Sequence, residues 1–182
     1  MRQITKLLHP FPRKYVHTNP SGGGDYVSHY IVEQRLLYVL GVPPTTKVVQ
    51  VIRGDVAAKK SEQQDLRDAC VGVILRMTAV IDGALVEVEE VGDCEDPHFW
   101  KTDGARLKDA FSDAYKRCAM RLGVALHIWA QDEFYVGEKL LSEDQEEAAA
   151  EPPAVTEQGQ EPGPAGEEDA SAGPGLLEEV PA

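Results

Sequence analysis

Only three cysteines occur in 182 residues, Cys70, Cys94 and Cys118. Their number is odd, their spacing wide and no C-x-x-C is present, so neither a disulfide framework nor a zinc ribbon is expected, only reduced, mostly buried thiols. No apolar run approaches the roughly 18 residues of a membrane span, and none follows a basic start. The chain is therefore read as cytoplasmic, with no membrane partner. Catalytic motifs are missing as well. There is no H-E-x-x-H, and Gly22 to Gly24 is not followed by the Lys and Ser or Thr of a phosphate-binding loop. His9, His17, His29, His98 and His127 are scattered, and no Ser/His/Asp or Cys/His order has a nucleophile context. The chain is not read as an enzyme, and no cofactor is expected.

Basic residues are absent from one stretch altogether. The formal charge of −13 argues at face value against nucleic acid, but residues 142–182 hold 12 acids, no base, six Pro, five Gly and no aromatic ring. Such a segment cannot bury enough apolar surface to offset its ordering entropy and is expected to be a disordered acidic tail. Residues 1–141 hold all 18 Lys and Arg against 19 acids, so the folded part is close to neutral. Its charge distribution, rather than its total, then decides what it binds.

Residues 1–24 are punctuated by Pro10, Pro12, Pro20 and a glycine run, which reads as an extended arm with turns. Within it Arg13 and Lys14 adjoin Tyr15, a grouping that suits a phosphate and a stacked base as well as a plain surface strand. A helix is expected from Ser28 to Leu40, with Val32, Leu36, Val39 and Leu40 on one face, a cap from Ser28 or Asp25, and Gly41, Pro43 and Pro44 as the stop. Glu33 and Arg35 fall off that face and read as solvated or structural pairs. Three strands follow, Thr46–Arg53, Ala69–Ile81 and Ala84–Val91, the first two joined by a polar connection over 54–68 that carries Lys59 and Lys60. Val71, Val73, Leu75, Met77, Ala79 and Ile81 alternate on one face, and Asp82-Gly83 is a hairpin signal. In the loop Gly92–Lys101, Asp93, Cys94, Glu95, Asp96 and His98 are metal-ligand types, but their spacing matches no established site.

From Trp100 to Trp129 the pattern reads as one long amphipathic helix, capped by Thr102 or Asp103, with Gly123 where it closes or kinks and Trp100–Leu122 as the part that covers the sheet. Phe111, Ala114, Tyr115, Cys118, Ala119 and Leu122 make the apolar stripe that covers the meander. Arg106, Asp113, Arg117 and Arg121, with Lys116 beside them, are read as another, cationic face. Asp113 and Arg117 also form an ordinary i,i+4 pair, and Arg121 complements a helix C-terminus, so spacing alone leaves a solvated face and an anion-binding face both open. The fold class is α+β: a β-β-β-α core preceded by a short helix and an N-terminal arm.

These words in this order resemble a known family, the Rad fifty-two and DdrA-like group of single-strand annealing proteins. The matching residues are Pro10-Phe11-Pro12, Lys14-Tyr15-Val16, Tyr26-Val27-Ser28, Val32, Arg35-Leu36 and Gly41. The run from Asp109 through Ala119 to Leu122-Gly123 is similar to the family's D-A-x-S-D-A-x-K-R-A-A-x-x-L-G signature. The likeness covers about residues 8–130. It implies a homo-oligomeric ring or helical filament that holds single-stranded DNA, and the annealed duplex intermediate, in a basic groove between helix and meander. By position it implies that Lys116 and Arg117 contact phosphates inside that groove, with Arg13 or Lys14 reaching in from the arm. Arg121 is offset by one from the family's usual base, where this chain has Met120. Lys59, Lys60 and Lys101 match an outer DNA site loosely, and the tryptophan often found after the first helix is absent around Pro43-Pro44.

The resemblance thus implies ATP-independent annealing in recombination and double-strand-break repair, with an exonuclease or a single-strand-binding protein as partner and, for a phage-encoded chain, the bacterial cytoplasm as its place. The domains would be 1–141 for DNA binding and oligomerisation and 142–182 for the tail. A different class is an oligomeric scaffold that acts through its acidic tail. A metal-dependent nuclease, resting on the Asp93–His98 loop, is the third.

Overall fold

The computed structural model describes residues 2–19, 24–60, 63–137, 139, 140 and 142. Apart from Ser142, the acidic tail read over 142–182 lies outside the described residues. The elements run α1 (Gln3–Leu8), a 3₁₀ turn (Arg13–Tyr15), β1 (His17–Thr18), β2 (Asp25–Tyr26), α2 (His29–Leu40), β3 (Thr45–Val56), β4 (Leu66–Ile81), β5 (Ala84–Asp93), α3 (Asp103–Arg121), α4 (Leu126–Ala130) and a 3₁₀ turn (Gln131–Glu133).

The expected α+β core is present. β3, β4 and β5 form an antiparallel sheet in that order, and α3 packs on one face of it. Asp82 and Gly83 turn the β4–β5 hairpin with φ of 50° and 82°, the left-handed pair that a two-residue turn needs to follow the strands' twist. Val73, Leu75, Met77, Ala79 and Ile81 point into the core, while Val86 and Val88 pack against it from β5. The opposite face is open, with Arg76 and Thr78 facing Glu89 and Glu87 and with Val80, Leu85 and Val91 exposed.

The strands are longer than their patterns suggested, and the β3–β4 connection shrinks accordingly. Pairing continues through Gly54 to Val56 and Leu66, with register shifts on the way. One shift explains why Val71 is only half-buried. Ile52 faces Gly72 while Arg53 faces Cys70, so Val71 is an extra residue and the inward phase passes to buried Cys70.

The helix α3 approaches β5 so closely that Gly92 has no room for a side chain. A Cβ there would stand 2.2 Å from the Ala114 nitrogen and 2.3 Å from the Ala110 oxygen. At its start, Thr102 Oγ1 accepts the Ala105 N–H at 3.2 Å, so Thr102 rather than Asp103 is the cap. At its end, Gly123 at φ 97° lets Val124 N–H reach Ala119 O and Gly123 N–H reach Met120 O, the paired bonds of a Schellman stop.

Before the core, α2 buries Ile31, Val32, Leu36 and Val39 and ends at left-handed Gly41. Ser28 takes the N-cap position without a side-chain capping bond, its carbonyl accepting from Ile31 and Val32. The arm departs from the extended reading, because Gln3–Leu8 is helical. Asp82, in the distant hairpin, accepts the Gln3 N–H at 2.7 Å and the Ile4 N–H at 3.3 Å, and Leu7 is fully buried. The α1 N–H groups are thus satisfied by tertiary structure, which a local pattern does not carry. Cys70, Cys94 and Cys118 are free and buried. Burial pushes the Cys94 thiol up to about 12 and Cys118 to about 11, and raises Cys70.

Candidate nucleic-acid interface

Successive residues of a helix are about 100° apart, and that angle separates the two cations expected to act together. Lys116 lies on the α2 side of α3, where its charge acts on His29. It is half-buried, and no carboxylate pairs with it among the described residues. Arg117 lies on the β5 side. Its Nε donates to Asp113 at 2.7 Å, and its guanidinium stands 5.7 Å from the centre of the Trp129 ring. Asp113 raises the Arg117 pKa and also faces the backbone N–H of Asp93. Arg121 continues this flank and reaches Glu90 at 3.2 Å with its side chain 61% exposed. The β5 flank of α3 is therefore a row of alternating signs.

Arg106 does not belong to a cationic face. It is 8% exposed, donates to the Pro97 carbonyl at 2.7 Å and the Trp100 carbonyl at 2.8 Å, and pairs with Asp103 at 3.6 Å. Its guanidinium ties down the loop entering α3 and is closed to a phosphate. Sequence spacing held the signal: Arg106 precedes buried Ala110 and Ala114 by four and eight, which places it on the buried stripe. Asp103 completes this junction by accepting the Cys70 N–H at 2.7 Å and pairing with Arg53 at 2.9 Å; the Cys70 bond, foremost, lowers its pKa.

The arm brings a different arrangement. Arg13 pairs with Asp25 and donates to Thr18 at 3.3 Å, so it braces the β1–β2 hairpin. Lys14 is exposed, with its ammonium 4.8 Å from the centre of the Tyr15 ring. Lys59 and Lys60 are exposed in the β3–β4 connection, and Lys101 is exposed just before α3. Of the nine expected contacts, Arg106 is closed off, and Arg13, Arg117 and Arg121 are each paired with a carboxylate. Of these nine, Lys14, Lys59, Lys60, Lys101 and Lys116 have no carboxylate partner among the described residues.

Between α2 and α3 lies a polar crevice that sequence spacing did not show. Tyr115 donates to Glu33, Ser112 Oγ is 3.2 Å from His29 Nδ1, and the His29 and Tyr115 rings are 4.5 Å apart. Burial lowers the His29 pKa and raises that of Tyr115, whose bond to Glu33 adds to the rise. Ser112 and His29 touch, but Ser112 is in mid-helix, where neighbouring N–H groups are committed to i−4 carbonyls and cannot form an oxyanion hole. The crevice fastens two helices, and Lys116 is at its rim. Glu33 belongs to this crevice. Arg35 donates to the Lys6 carbonyl at 3.0 Å and the His9 carbonyl at 2.7 Å.

No protein-family model matches this chain. A search of curated proteins finds no match either. The Asp93–His98 loop gathers no metal site: among the described residues no three His, Cys, Asp or Glu side chains come together to hold an ion. No helix among them is long and apolar enough to cross a membrane.

Proposed function

We propose that this chain binds single-stranded DNA and, as a ring or helical homo-oligomer, anneals complementary strands without nucleotide hydrolysis. The observation that carries the reading is Lys116. It lies within the Asp109–Ala119 run that resembles the annealing signature, on a helix seated against a three-stranded meander, and among the described residues no carboxylate pairs with it. A protein of this kind needs no catalytic group. Cations neutralise phosphates and release counterions, the strand is held extended, and pairing itself runs downhill. Repeating one weak contact around an oligomer raises affinity through effective concentration.

The geometry also ranks the residues. Arg117 must leave Asp113 before it can meet a phosphate, whereas Lys116 has no such partner among the described residues. Annealing of complementary labelled oligonucleotides, followed by fluorescence without ATP, tests this. Lys116→Ala is expected to slow annealing at least about tenfold and to lower the salt dependence of binding, with Arg117→Ala costing less. A chain that binds no single strand, or variants that anneal as fast as the unaltered protein, would overturn the proposal.

A further inference from the structure

Beside α2 is a groove that the reading above does not use. It encloses about 270 Å³ and is lined by Phe11, Pro12, Tyr15, Gln34, Arg35 and Tyr38. Its floor is fixed, since the Arg35 guanidinium stands 4.3 Å from the centre of the Phe11 ring and is bonded to two backbone carbonyls. Its walls carry rings turned to solvent: Tyr15 is 37% exposed and Tyr38 is 80% exposed. Exposed tyrosine at such density gains nothing for an isolated fold.

The charge around the groove says what fits it. Residues 1–24 contain Arg2, Lys6, Arg13 and Lys14 and no acid. Arg13 is engaged with Asp25, but among the described residues neither Lys6 nor Lys14 has a carboxylate partner. Arg35 also shares the groove and brings a further positive charge to its floor. Rings flanked by the Lys14 ammonium beside Tyr15 and by the Arg35 guanidinium, with a Gln side chain in the lining, complement a polyanion that carries flat aromatic groups.

We infer that this groove takes a nucleobase of single-stranded DNA, stacked on Tyr15 or Tyr38, with Lys14 on the adjoining phosphate. The inference rests on the proposed single-strand binding and adds a contact to bases, where Lys116 contacts only the backbone. Each protomer then holds the strand by an occasional base, and the bases between remain open for pairing.

The test uses the full chain and fluorescence anisotropy on two probes, an oligothymidylate and an abasic oligodeoxynucleotide of equal length. Tyr15→Ala and Tyr38→Ala are each expected to weaken thymidylate binding about tenfold and leave abasic binding unchanged, while Tyr38→Phe keeps both. Unchanged thymidylate affinity, or equal loss on both probes, would overturn the inference. So would a Tyr38→Ala protein that elutes as a smaller species with DNA affinity intact, which would make the groove a contact between copies. The two proposals fail separately: annealing that survives both alanine variants removes the groove alone, and base-dependent binding without annealing removes the annealing reading alone.

Discussion

Lys116 and Arg117 are neighbours in sequence and opposites in circumstance, one at the rim of a crevice and one bonded to Asp113. A formal count of positive residues treats them alike, so the helix face was legible as cationic but its free charge was not. Arg106 shows the same limit more sharply, because its role depends on the Pro97 and Trp100 carbonyls that a loop delivers to it. Titration gives a residue-scale test of the packing. Burial holds His29 and His127 below the ordinary 6.5, with Glu33 and Lys116 acting in opposite senses on His29 and Arg35 adding to the fall of His127. Below that value the unfolded chain takes up protons more readily than the fold does, so their contribution is complete above about pH 6.5 and fades as the pH drops further. Urea midpoints are expected to fall between pH 7 and 5, and His29→Gln with His127→Gln should flatten that slope. The carboxyls of Asp103, Asp25 and Asp55, held below 3.8 by their hydrogen bonds, lose their share only at lower pH, which keeps the two effects apart.

At the level of elements, periodicity of two and of 3.6 made the meander and α3 readable, and Asp82-Gly83 and Gly123 marked their ends. The helix α1 escaped because it is six residues long, is followed by Pro10 and Pro12, and takes its N-terminal hydrogen bonds from Asp82. The strand extensions escaped for a similar reason, since bulges break the alternation that a pattern reading follows. The junction of helix and sheet is tested by two glycines. Gly92→Ala drives a methyl group into the α3 backbone and is expected to cost about 3 kcal/mol in chemical denaturation. Gly104→Ala, with nothing within 4 Å of its new methyl, should instead raise stability by up to about 1 kcal/mol. Thr102→Ala removes the cap at the same helix start and is expected to cost about 1 kcal/mol.

For the whole molecule, the division of charge is the property most plainly written in the sequence: near balance through residue 141 and twelve acids beyond it. A chain ending at Leu141 is expected to keep its denaturation midpoint and to bind oligothymidylate at least as tightly as the full chain, measured side by side at one salt concentration. A lowered midpoint would mean that the tail contributes to the fold. The three buried thiols carry a separate consequence. One lies in β4, one just past β5 and one in α3, and all resist ionisation. An alkylating reagent can therefore reach each only when its surroundings come apart, and the sites together form a clock with three hands. If sheet and helix open as one, all three are modified at a single rate; a Cys118 that reacts ahead of Cys70 would reveal α3 lifting away on its own.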